Sequence, residues 1–178
     1  MTDSQHDALT HLREDGSAHM VDVSDKAVTK RTATAEAFFH SRAEVIRMII
    51  DGALPKGEAI GTARIAGIMA AKRTADLIPL CHPLPLTRIE IDFEQREDSI
   101  RILAQVTTKA VTGVEMEALT AASIAALTLY DMVKAVDHHA QISDIRVIEK
   151  TGGKSGDWSL ATHTNGSSTD ETPAAEND

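Results

Sequence analysis

The stretch Thr112–Asp137, TGVEMEALTAASIAALTLYDMVKAVD, constrains the fold of this chain more than any other. It reads as one long helix, apolar nearly all round, rich in Ala, Leu, Met and Glu and with no Pro or Gly between Val114 and Asp137. Thr112 with Glu115 three residues later matches a capping box and signs the start. From Val114 to Val136 the helix would run about 34 Å. A helix this apolar must be covered on most sides, so the rest of the chain has to supply a layer for it.

Its few polar residues carry the next inference. Glu117, Thr120, Thr128, Asp131 and Lys134 fall within one sector of about 120°, with Ile124 and Leu127 in the middle of it. The stripe is split into an N-terminal patch (Glu117, Thr120) and a C-terminal patch (Thr128, Asp131, Lys134) with an apolar waist between them. Glu117 and Asp131 would lie about 21 Å apart, too far to serve one small-molecule site within one chain. Two copies packed antiparallel at their waists would bring them together.

The 178 residues suit one domain with a sizeable core. It is expected over residues 17–158, between a disordered N-terminal segment, 1–16, and a disordered acidic tail, 159–178. The net charge of −9 misleads, because residues 17–160 hold 17 basic and 19 acidic side chains and the acidity sits largely in the two ends. The folded part is free to carry local basic pockets. Three Phe, one Tyr and one Trp leave little to stack on bases, so nucleic-acid binding is not expected. No apolar run reaches bilayer-spanning length and the N-terminus has no h-region, so no membrane contact and a cytoplasmic location are expected. The single Cys81 excludes an internal disulfide and a Cys-rich zinc site.

Taken in order, the chain turns extended from His19 through HMVDVS and VTKRTATAEA. Ser41–Asp51 is a helix with its own capping box, Ser41 and Glu44, stopped by Gly52. A loop with Pro55-Lys56-Gly57 at its tip leads to a second helix from Glu58 to about Asp76, whose small residues, Gly61 and Gly67 among them, permit close packing. TRIEIDFE alternates Ile89, Ile91 and Phe93 with Glu90, Asp92 and Glu94, and SIRILAQVT returns, giving a hairpin with one wet face. The long helix follows, then the strand ISDIRVIEK. This order is the split βαβ plan: an α+β fold, a ferredoxin-like antiparallel sheet with helices packed on one face.

Several residues stand where chemistry could be done, each with a plainer alternative. Arg31 is an anion ligand or a solvated strand charge. Lys56 sits beside a Gly that lets a ligand approach the backbone, and is a phosphate contact or an ordinary surface lysine. Prolines hold Cys81 and His82 in a stiff segment. His82 is a phosphate contact, a proton-transfer group or a structural histidine; the two residues are too few for zinc. Lys154 lies in TGGKSGDW, which fails the P-loop signature because position 148 is Ile; the loop touches an anion or is merely loose. Asp131 and Lys134 are one turn apart and can pair. On so apolar a helix such a pair belongs at an interface or in a cleft, where a lysine pKa can be lowered for acid–base use.

MVDVS, PKGEA, TARIAGIMAAKRT, DLIPLCHPL, TGVEMEALTAAS, LYDMVKAV and KTGGKSGD, in this order over roughly residues 16–158, resemble the MoaC family of molybdenum-cofactor biosynthesis. The resemblance implies a lyase that converts 3′,8-cyclo-7,8-dihydro-GTP to cyclic pyranopterin monophosphate with release of pyrophosphate. It implies a homohexamer, a trimer of dimers with the site between subunits. Asp131 and Lys134 would then be catalytic. Leu80, Cys81, His82, Met116 and Glu117 would bind the substrate, and Lys56, Arg31, Lys150 and Lys154 would surround its triphosphate. No redox cofactor and no resident metal are expected; a divalent ion such as Mg2+ could accompany pyrophosphate, without a ligand cluster to support it. The radical enzyme that makes the substrate is a candidate partner. The competing class is a non-catalytic ferredoxin-like binding module.

Overall fold

A central strand paired on both edges organises the molecule. The computed structural model describes residues 17–154 and 156–160; the segments 1–16 and 161–178, expected to be disordered, lie outside the described residues. The elements run β1 (Thr29–His40), α1 (Ala43–Ile50), α2 (Ala59–Ala71), α3 (Thr74–Leu77), β2 (Leu86–Gln95), β3 (Ser99–Ala110), α4 (Glu115–Val133), β4 (Gln141–Thr151) and β5 (Trp158–Ser159). The sheet order is β2-β3-β1-β4-β5, antiparallel at every junction. The first four strands follow the expected split βαβ plan. The short β5 was not foreseen, and it takes Ser159 out of the expected tail.

Alternation along β1 turns Ala33, Ala35, Ala37 and Phe39 toward the helices, where all four are buried. Small side chains here let α4 settle closely on β1, β3 and β4, while its flank lies against α2. The helices approach closely at Gly67. A Cβ there would stand 2.8 Å from the Ala121 carbonyl oxygen and 3.3 Å from the Ala125 Cβ. By length and composition α4 does reach what a bilayer span requires, against the expectation that no apolar run is long enough. In this fold the sheet and α2 cover its buried face.

Neither expected capping box forms. The residue before α4 is Val114, with no side-chain cap, and Glu115 reaches Lys150 instead. At α1 the Ser41 hydroxyl donates to Asp137 Oδ2 at 2.7 Å, and the Arg42 N–H reaches the same oxygen at 3.4 Å. A carboxylate from just beyond α4 therefore ties down the start of α1. The second helix is capped locally, by the Glu58 carboxylate accepting the Gly61 N–H, but it stops short of Asp76. The chain turns at Lys72-Arg73, and buried Thr74 donates its hydroxyl to the Ala71 carbonyl at 3.0 Å as α3 begins. The β2–β3 hairpin is as expected, with Ile91 buried and Glu90, Asp92 and Glu94 exposed.

Candidate active site

Strand register explains why basic side chains gather at one end of the sheet. Ala33, which faces the helices, sits opposite Lys150. Lys150 therefore faces the same way, as does Arg31 two residues before Ala33. Both project past the apolar core to the start of α4. They line an open cleft of about 1040 Å³ with Lys26 and Lys154, four cations against the carboxylates of Asp25 and Glu115. Arg31 is no free strand charge, since its Nε donates to the Ala110 carbonyl at 3.1 Å. Lys150 Nζ lies 2.7 Å from Glu115 Oε1. Two hydrogen bonds are made by glycines that flank Lys154. The Gly152 N–H donates to Asp157 Oδ1 at 2.6 Å and the Gly156 N–H to the Gly153 carbonyl at 3.3 Å.

A recess of about 320 Å³ adjoins the cleft and shares Lys26, Thr112, Gly113 and Glu115 with it. Leu80, Cys81, His82, Met116 and Glu117 all line this recess, so the two segments expected to bind substrate meet there. Glu117 is 4 % exposed. Burial pushes its carboxyl up from an ordinary 4.5 to about 7, aided by the nearby Glu115 charge and opposed by a bond from its own backbone N–H. Burial, then the Glu117 charge, also raises the Cys81 thiol, which keeps it protonated at neutral pH. Lys26 lines both cavities and was missed in the sequence. The Asp22 carboxylate accepts the Ser24 N–H at 2.9 Å and the Val23 carbonyl accepts the Lys26 N–H at 3.0 Å, a local turn that presents the lysine. Asp22 and Ser24 in MVDVSDK were the available signal.

The remaining candidates stand at the other end of α4. Lys134 Nζ lies 2.8 Å from Asp131 Oδ1. Lys56 Nζ donates to Asp131 Oδ2 at 2.8 Å and to the Asp131 backbone carbonyl at 2.7 Å. Lys56 thus joins the acid–amine pair and not the cleft cations with which it had been grouped. The bonds from Lys134 and then Lys56 hold the Asp131 carboxyl down at about 2. The Asp131 bond and charge in turn raise Lys134 above its ordinary 10.5. In the single chain the Lys134 pKa is not lowered, because the side chains are 53 % and 56 % exposed and desolvation is too weak to oppose the carboxylate. About 21 Å of helix separates this trio from Glu117. Between them Leu127 is 54 % exposed, and Ile65 and Met69 of the adjoining α2 are exposed as well. Among the described residues no group of three or more His, Cys, Asp or Glu is placed to hold a metal ion.

Fold and site together define a ferredoxin-like α+β protein with a cleft lined by four cationic side chains at one end of its core helix and an acid–amine cluster at the other. The MoaC family model matches residues 20–153, and the chain belongs to the MoaC family. It is 63 % identical over 152 residues to a cyclic pyranopterin monophosphate synthase of Corynebacterium glutamicum, covering 85 % of this chain and 97 % of the relative. It is 57 % identical over 157 residues to cyclic pyranopterin monophosphate synthase 2 of Mycobacterium tuberculosis, covering 88 % and 94 %. It is 56 % identical over 155 residues to the synthase of that name from Brucella ovis, covering 86 % and 94 %.

Proposed function

We propose that this chain is itself a cyclic pyranopterin monophosphate synthase. It takes 3′,8-cyclo-7,8-dihydro-GTP to cyclic pyranopterin monophosphate and pyrophosphate, in molybdenum-cofactor biosynthesis. The observation that carries this reading is the continuity of the four-cation cleft with the Glu117 recess. Lys26, Arg31, Lys150 and Lys154 hold the triphosphate and then the charge of departing pyrophosphate. The purine-derived ring lies in the recess against His82, Met116 and Glu117. A carboxyl with a pKa of about 7 can give or take a proton at a ring nitrogen near neutral pH. Ring opening and closure are proton transfers and additions to imine-like carbons, and the cyclic phosphate forms when a hydroxyl of the substrate attacks the α-phosphorus as its bond to the departing pyrophosphate breaks, with no net redox change.

Asp131, Lys134 and Lys56 come to the substrate from a second subunit packed antiparallel across the exposed Leu127 waist, and the dimers assemble as a homohexamer. Enclosure there removes water from the lysines, which favours release of the Lys134 proton. The test is to incubate the chain with the cyclised nucleotide and to quantify pyrophosphate and pterin product. Lys134→Ala is expected to abolish turnover with assembly intact, and a fully active variant overturns the role. Tight binding without pyrophosphate release is the outcome expected of a non-catalytic module.

A further inference from the structure

The glycine pair in the TGGKSGD loop packs against the start of β1 in a way that the chemistry above does not use. Gly152 and Gly153 have φ of +82° and +85°. A Cβ on Gly152 would run into the Lys30 carbonyl oxygen. One on Gly153 would overlap Arg31 Nη1 and stand 3.1 Å from Arg31 Cζ. Elsewhere the same guanidinium is fixed by its Nε bond to the Ala110 carbonyl. On either side of Gly153, the Asp157 carboxylate accepts the Gly152 N–H and the Gly153 carbonyl accepts the Gly156 N–H.

We infer that Gly153 is a positioning residue for Arg31. Its bare backbone forms one wall of a slot and the Ala110 carbonyl anchors the other side, so the guanidinium enters the cleft in one orientation. With Nε occupied, the N–H groups on the two Nη atoms are those left to meet a phosphate. A fork held in place binds an anion with less loss of side-chain freedom than one that must be ordered on binding. This inference rests on the cleft being the triphosphate site.

A positive φ alone also favours glycine, and the loop contains its own control. Gly156 has φ of +72° with nothing within 4 Å of its added Cβ. Gly156→Ala therefore carries the backbone strain without the contact. Calorimetric binding of inorganic tripolyphosphate to the full chain, with KM and kcat for the cyclised nucleotide, should be compared among Gly153→Ala, Gly156→Ala, Arg31→Ala and the double variant Arg31→Ala/Gly153→Ala. Gly153→Ala is expected to weaken tripolyphosphate binding about tenfold beyond Gly156→Ala, and to act on KM more than on kcat. In the Arg31→Ala background the same change should add less than about twofold. Equal losses in the two glycine variants, or an undiminished loss without Arg31, overturn the inference while leaving the cleft reading intact. If Arg31→Ala does not change tripolyphosphate affinity, the cleft reading fails and the inference with it. Should Gly153→Ala not fold, Gly153→Asn places the same Cβ against Arg31 Nη1 on a residue that tolerates positive φ. It should weaken tripolyphosphate binding beyond Gly156→Asn, and equal binding by the two asparagine variants overturns the slot.

Discussion

The Lys150 ammonium is bonded at 2.7 Å to the Glu115 carboxylate across the mouth of the cleft, with both side chains largely shielded from water. Glu115 is thereby withdrawn from the start of α4, where a capping box would have used it. Thr112→Ala should change stability by less than about 0.5 kcal/mol, whereas losing a real cap would cost about 1 kcal/mol. Glu115→Ala leaves the part-buried Lys150 without this carboxylate and should cost roughly 1–2 kcal/mol. Thermal unfolding at fixed protein concentration separates them. A Thr112→Ala penalty as large as that of Glu115→Ala would reinstate the capping box.

Asp131 is a depressed carboxyl, so its contribution to stability is present above its ordinary 3.8 and lost as pH falls through about 2. Lys134 is a raised amine, and its contribution is full below the ordinary 10.5 and lost above it. Across neutral pH the pair therefore stays doubly ionised in the single chain. Carboxyl-detected NMR should show no Asp131 titration above about pH 3, and Lys134→Met should move it back toward 3.8. An Asp131 signal that titrates between about pH 4 and 6 in the unaltered chain would contradict the geometry.

Glu117 has the opposite sign. Its folded value of about 7 lies above the ordinary 4.5, so between the two the native state binds more protons than the unfolded one and stability falls as pH rises. Above about 7 the whole penalty is present. Glu117→Gln, which cannot ionise, should stabilise the protein at pH 8 by roughly 2 kcal/mol, less than full conversion of the shift because the recess admits solvent. At pH 4 the two proteins should unfold alike. A stabilisation that does not vary with pH would mean that Glu117 is not the titrating group.

Much of this fold was legible wherever the pattern lay within one element. The Ile89–Phe93 alternation and the long apolar run of α4 are periodic in themselves. The misses arose where a distant residue decided the outcome. Ser41 reads as the cap of its own helix until Asp137, 96 positions later, takes its hydroxyl. Lys56 reads as a loop-tip phosphate contact until folding sets it against Asp131, 75 positions on. The strand β1 outran its alternating stretch because, paired on both sides, it also buries Glu36, held by Arg101 at 2.8 Å and Arg146 at 2.7 Å. At the site, the Leu80–His82 and Met116–Glu117 segments were recognisable as motifs. Lys26 was not, since its turn has no periodicity. The two-residue β5 exists only as a partner for Glu149 and Lys150.

The α2–α4 seam tests the packing beneath both halves of the site. At Gly67 an added methyl would press on the Ala121 carbonyl oxygen at 2.8 Å and on Ile91 Cδ1 at 2.5 Å. Backbone cannot yield cheaply, so Gly67→Ala should lose roughly 1–3 kcal/mol despite the better helix propensity of Ala. Gly61→Ala, whose new methyl meets only the flexible Glu58 carboxylate, should stay within about 1 kcal/mol of the unaltered protein. Equal thermal shifts in the two variants would show that the helices are not in this register.

A site shared between two subunits makes a prediction that a self-contained site does not. Glu117→Gln and Asp131→Asn lie about 21 Å apart on α4, and each alone should reduce turnover by about a hundredfold or more. In an antiparallel pair each site takes Glu117 from one chain and Asp131 from the other. A heterodimer of the two variants then holds one site with both changes and one site with neither. Unfolding and refolding the two proteins together at equal concentration should restore about one quarter of the unaltered activity, since half of the dimers are mixed and each has one intact site. Mixing without subunit exchange should restore none. If co-refolded material stays as inactive as its components while an affinity tag on one variant pulls down the untagged other, Asp131 and Glu117 act in separate cavities, and the shared site must be abandoned.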